Sequence, residues 1–214
     1  MRRLLPLLSV VLALLPATLS GAAAQDGTPA APAPAQAHLA RTNVRYFVPV
    51  DQDGLSPRLH LAANERGTCI GGSVADAGRP DAWRCTAGNA ILDPCFASPF
   101  SLPDDPGVLV CADSPFADEV IPFTPTAPLP AATGMTPDLT ASQLPWALEL
   151  ANGERCTLLS GATVGIAGMR LNYGCAGHGS VVGEIDRSQP FWAVSYLPES
   201  GVATSLVEVT AAWS

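Results

Sequence analysis

Three histidines, six cysteines and nineteen acidic residues are the side chains of this 214-residue chain best suited to chemistry. Imidazole titrates near neutral pH and is the commonest metal ligand. His38, His60 and His178 are scattered, however: one at the edge of a proline-rich stretch, one in a segment suited to a strand, and one within Gly177-His178-Gly179-Ser180. None has a second His or Cys at metal-ligand spacing, and His178 reads as a solvated residue in a glycine turn. The segment closest to a nucleophile elbow, Gly71-Gly72-Ser73-Val74-Ala75, lacks the final glycine. The hydrolase fold that uses such an elbow also needs strand–helix alternation, so Ser73 reads as a turn or strand serine. A Ser–His–Asp triad is recognised by geometry, so counting residues leaves a hydrolase open. Gly177-His178-Gly179 opens no helix after a strand and is no dinucleotide site.

The acids give weaker patterns. Asp51-Gln52-Asp53-Gly54 supplies two carboxylates and a turn glycine but lacks the later ligands of a calcium loop, the closing glutamate included. Asp104-Asp105 and Asp118-Glu119 flank proline-rich loops and read as solvated turns. A glycosidase needs two carboxylates across a cleft, which sequence spacing does not identify among nineteen acids. Trp83, Trp146, Trp192 and Trp213 are spread along the chain. They read as core or disulfide-packed rings; a sugar-binding platform would need two of them coplanar on one face. No catalytic, cofactor-binding or metal residue is assigned, and no cofactor is expected.

The cysteines carry the most information. Cys69 and Cys85, Cys95 and Cys111, and Cys156 and Cys175 form neighbouring couples sixteen, sixteen and nineteen positions apart. In an exported chain an even count favours disulfides over metal ligands or a reactive thiol. Six cysteines allow fifteen connectivities. Local pairing within each couple is preferred, and crossing the first two couples is the main rival.

Export is indicated at the amino terminus. Arg2 and Arg3 precede the apolar stretch Leu4–Leu19, and Ala22-Ala23-Ala24 offers a small-residue cleavage pattern, so residues 1–24 read as a signal peptide. The stretch is short for a span of ~20 residues and contains Pro6 and Pro16. The mature chain, beginning near Gln25, is expected to be soluble in the periplasm or medium, with no stable membrane insertion. It would carry nine arginines, no lysine and all nineteen acids, an acidity that disfavours nucleic-acid partners. An envelope glycan or a protein remains as the class of ligand.

Residues 25–37, rich in Ala and Pro, read as a disordered spacer. Residues 38–214 then suit a single disulfide-stabilised domain, all-β or β-rich. A stapled, loop-rich half is expected up to about Phe123, followed by an antiparallel strand meander from about Leu144 to Trp213. Met169, Leu171, Tyr173 and Cys175 alternate with polar or small residues, as do Val207, Val209, Ala211 and Trp213, the period of a half-buried strand. Phe191–Leu197 suits a buried strand. Recurrent prolines between Pro94 and Pro145 argue for extended loop, with a strand near Gly107–Ala112.

Asn152-Gly153 between apolar runs signals a hairpin. A three-residue loop, Ala151–Gly153, with Gly153 left-handed, pairs Glu149 with Arg155 and sets Trp146, Leu148, Cys156 and Leu158 on one face. That register satisfies the buried face and points Cys156 toward Cys175.

Cys69-Ile70-Gly71-Gly72-Ser73, Asp81-Ala82-Trp83-Arg84-Cys85, Gly88-Asn89 and Asp93-Pro94-Cys95-Phe96 form an ordered set of blocks. The set continues with Leu144-Pro145-Trp146, Gly153-Glu154-Arg155-Cys156 and Arg170-Leu171-Asn172-Tyr173-Gly174-Cys175. It resembles a group of uncharacterised secreted proteins of high-GC bacteria with such Trp-Arg-Cys and Asp-Pro-Cys-Phe blocks. The resemblance spans about Gly67 to Trp213. It implies export and paired cysteines and brings no activity, substrate or catalytic residue. The expected function is an exported, non-catalytic binding or structural module of the cell envelope or medium; the alternative is a small secreted hydrolase.

Overall fold

The computed structural model describes residues 41–100, 107–130, 144–166 and 168–214. They fall in one compact unit, His38–Ser214. Residues 1–24, expected as a signal peptide, residues 25–37, expected as a spacer, His38 and Asp104–Asp105 lie outside the described residues. The described secondary structure is all strand, sixteen in number, and no helix among the described residues is long and apolar enough to cross a membrane.

Two closed sheets account for most of the strands. The first joins β5 (Glu65–Gly72), β6 (Ala82–Ala87), β7 (Ala90–Phe96), β8 (Leu109–Cys111) and β9 (Glu119–Pro125), in that order. It closes because β9 pairs with β8 antiparallel and with β5 in parallel. The half expected to be loop-rich thus forms a small barrel, with the two-residue β4 (His60–Leu61) beside β9. The sequence reading placed no strand at β9, because Pro122 and Pro125 lie in it. Pro122 pairs with Val110 where the other edge of β9 passes from β4 to β5, a gap in which a missing N–H costs no ladder bond.

The second sheet is the expected meander, closed into a barrel. Its strands are β10 (Ala147–Leu150), β11 (Arg155–Leu158), β13 (Met169–Cys175), β14 (Ser180–Asp186), β15 (Trp192–Leu197) and β16 (Ser205–Trp213). Pairing of β15 with β16 completes the ring. The short β12 (Gly165–Ile166) extends β13, and β1 (Asn43–Arg45) pairs in parallel with the end of β16. β2 (Val50–Asp51) and β3 (Gly54–Leu55) make a separate hairpin.

Three apolar clusters result. Inside the first barrel, Trp83, Leu92, Leu109 and Phe123 surround the Cys69–Cys85 and Cys95–Cys111 disulfides. Inside the second, Leu148, Leu150, Tyr173, Val181, Val194 and Val209 surround Cys156, bonded to Cys175. In each bond the cysteines face one another directly across paired strands, with Cα atoms 3.8–3.9 Å apart. The third cluster joins the barrels. Phe47, Phe96 and Trp146 meet at centroid distances of 5.3–5.8 Å, among Leu59, Ala82, Val110 and Val120.

The hairpin register is as expected: Leu148 faces Cys156, Glu149 faces Arg155, and Gly153 has φ +88°. Trp146 departs from it. It precedes the barrel wall and packs on the first barrel's side, so the face expected to hold it carries Leu148, Cys156 and Leu158. β13 also breaks its alternation. One extra residue lies opposite β14 between Leu171 and Tyr173, so Asn172 and Tyr173 are both buried. Asn172 donates from Nδ2 to the Gly183 carbonyl at 2.6 Å, and Leu171 is turned out of the barrel. A similar shift at Thr210 puts Ala212 in the second barrel's core, while Trp213 packs on the inter-barrel cluster.

Candidate functional site

On the outer face of the first barrel, residues alternate away from the disulfide core. Trp83 and Cys85 point inward, so Arg84 between them points out, and on β7 Ile91 and Asp93 flank the inward Leu92. Opposite them lies the loop from β11 to β12, together with the out-turned Leu171. Between these surfaces lies an open cavity of about 600 Å³. Its apolar wall is Ile91, Leu158, Leu159, Val164 and Leu171; its polar groups are Arg84, Asp93, Asp113, Ser160 and Thr163. Ile91 is 56% exposed and Val164 63%, so the rim offers aliphatic surface to solvent.

Asp93 is the most constrained of the polar groups. Its side chain is buried. Oδ1 accepts from Ser73 Oγ at 2.5 Å and from the Ala75 N–H at 3.5 Å. Oδ2 accepts from the Val74 N–H at 3.2 Å and faces Arg84 Nη1 at 3.9 Å. Burial raises its pKa above the usual carboxylate range, against the lowering effect of Ser73, the two N–H donors and Arg84. Asp93 thereby anchors the Ser73–Ala75 turn and faces Arg84. Arg84 is less well satisfied, because Nε is buried without a partner, as is the Thr163 hydroxyl.

Ser73 has the structural role expected of a turn serine, and a larger one. Its hydroxyl also accepts from the Asp76 N–H at 2.8 Å, tying the buried Asp76 to Asp93. Burial pushes the Asp76 pKa up to about 7; Arg79 opposes the shift, and Asp81 and Asp93 add to it. Arg79 binds Asp81 through two nitrogens, Nη2 at 2.6 Å and Nε at 2.8 Å. It also donates to the Phe47 carbonyl at 2.7 Å and lies over the Phe96 ring. Although burial alone would raise it, Asp81 is held below the usual range by Arg79. No sequence pattern singled out this Ser73–Asp76–Arg79–Asp81–Asp93 network. Its members come from one loop and one distant strand, and only the β6–β7 pairing brings them together.

The histidines lie elsewhere. His60 is exposed in β4. His178 is exposed in the β13–β14 turn at φ +63°, and its side chain forms no hydrogen bond or ion pair with a described residue. Its flanking glycines are required by close approach: a Cβ on Gly177 would meet the Glu154 carboxylate, and one on Gly179 the Tyr196 ring. Glu154 holds this turn by accepting from the Gly177 N–H and the Tyr196 hydroxyl, each at 3.0 Å. Neither His60 nor His178 lines the cavity.

The remaining sequence candidates are also structural. Asp51 accepts from the Asp53 N–H at 2.8 Å within the β2–β3 turn, and Asp118 forms an exposed ion pair with Arg58 at 3.7 Å. Among the described residues no group of three or more His, Cys, Asp or Glu is arranged to hold a metal ion. Trp83 and Trp146 are buried. Trp192 lies under Arg187 and Trp213 under Arg45. The six cysteines are all in disulfides. Comparison with protein-family models, curated proteins and solved structures finds no match to this chain.

Proposed function

We propose that the protein is an exported, non-catalytic binding module of the cell envelope or extracellular medium, and that its ligand enters the cavity between the two barrels. The observation that carries this reading is the cavity itself. At about 600 Å³ it has the size of a ligand site, and its lining is divided almost evenly between polar and apolar surface. Arg84, Thr163 and Asp113 are among the polar residues of its wall. The hydrolase reading draws less support: His178 lies outside the cavity, and Ser73 is bonded to Asp93 and the Asp76 N–H and to no histidine. Three disulfides suit an oxidising compartment, in agreement with the signal-like amino terminus and with the resemblance to secreted proteins.

The test has two arms. Protein recovered from culture medium or periplasm should begin near Gln25 and show no free thiol before reduction; an intact Met1 in the membrane fraction would overturn export. The purified mature protein should then be screened against envelope glycans and peptides by thermal shift, and against ester, amide and glycoside substrates for turnover. A ligand that raises the melting temperature of the native chain but not of Ile91→Asp is the expected result. Turnover that survives Ile91→Asp but is lost on mutating His178 would overturn the non-catalytic reading.

A further inference from the structure

Two strand edges near the cavity have no second neighbour among the described residues. β8 meets β7 only at Cys95 and Phe96, so among the described residues Ala90–Leu92 have a partner strand, β6, on one side alone. Across the cavity, Val164 of the lining leads into β12, which among the described residues pairs only with β13. An unpaired strand edge presents backbone N–H and C=O groups spaced to accept another extended chain. The side chains beside these edges are aliphatic: Ile91 on one side, Leu159 and Val164 on the other, with Leu171 behind. No aromatic ring lines the cavity, which removes the usual stacking surface for a sugar. The polar residues of the lining include a donor, the Arg84 guanidinium, a residue with a hydroxyl, Thr163, and an acceptor, the Asp113 carboxylate. Donors and acceptors side by side suit amide groups better than a fatty-acid carboxylate, which would face two aspartates.

We infer that the occupant of this cavity is an extended peptide segment, paired with the free edge of β7 at Ala90–Leu92 and inserting an aliphatic side chain between Ile91 and Val164. The inference rests on the proposed cavity-binding function and specifies its ligand class. Main-chain pairing would supply affinity, and the aliphatic pocket would select the side chain.

The experiment uses the mature protein with its disulfides intact and follows its amide NMR spectrum during titration with three probes. These are a capped Ser-Val-Leu-Val-Ser peptide, octanoate and a chito-oligosaccharide. The peptide should shift the amides of Ala90–Asp93 and Val164–Ile166. An analogue N-methylated at the central leucine should bind about tenfold more weakly, as should the native peptide to Ile91→Asp or Val164→Asp, each change removing a backbone donor or an aliphatic contact. Both replaced side chains are exposed, and a dispersed spectrum confirms that each variant is folded. Octanoate or the oligosaccharide shifting these amides where the peptide does not would overturn the peptide assignment and leave the cavity-binding function standing. Peptide-induced shifts confined to other surfaces, or no shifts at all, would overturn the assignment; the cavity-binding function is then judged by its own thermal-shift screen.

Discussion

Replacing Asp76 by asparagine tests the buried acid network at one point. Asp76 is only 2% exposed, its Oδ2 has no partner, and the charges around it are Arg79, Asp81 and Asp93. In the folded chain it keeps its proton until about pH 7, whereas the ordinary carboxyl value is 3.8. Between those values the folded state binds more protons than the unfolded state, so stability falls as pH rises. Its favourable contribution is complete below about pH 4 and is lost as pH climbs through about 7. A shift of roughly three units at 1.36 kcal/mol each sets an upper limit of about 4 kcal/mol. Asparagine imitates the protonated acid and cannot ionise. Asp76→Asn should therefore match the native protein near pH 4 and exceed its stability near pH 8 by up to ~4 kcal/mol. Asp93, also raised by burial, adds a slope of the same sign in both proteins. Asp81, held low by Arg79, adds one of opposite sign at lower pH. Urea unfolding followed by tryptophan fluorescence, with disulfides intact, measures the difference across this range. Parallel stability curves for the two proteins would refute the reasoning.

Other outcomes follow from single contacts. Ser73→Ala removes the hydroxyl between Asp93 and Asp76 and should cost about 1–3 kcal/mol in denaturant unfolding, since a buried charged acceptor loses its donor. Replacing Cys156 and Cys175 together by alanine should cost about 2–5 kcal/mol, and unreduced peptide mapping of the native chain should recover only the three local pairs. Gly67→Ala would drive a Cβ into the Thr86 carbonyl oxygen where β5 crosses β6; backbone cannot yield cheaply, so a thermal melt should show a loss of about 1–3 kcal/mol.

Local pattern carried the all-β class, the paired cysteines and the β10–β11 register. Each depends on residues near one another in the chain: a glycine that can adopt φ +88° at Gly153, alternating side chains, and cysteines that adjacent strands bring opposite one another. Closure of the two barrels was not legible. It needs β9 to turn back in parallel beside β5, and β15 to meet β16, pairings that no local period encodes. β9 was hidden further by its prolines, tolerated only because its neighbouring strands leave a gap there. The candidate site was the least legible part. No sequence pattern singled out Arg84, Ile91 or Asp93 as cavity residues. Leu171 read as an inward residue until an extra residue at Asn172 reversed its face. The cavity exists because Phe47, Phe96 and Trp146 hold two barrels together, so its lining combines surfaces that the chain places some seventy residues apart. Local alternation specified the faces of regular strands; the extra residue at Asn172 and the packing of one barrel on the other decided what lines the cavity.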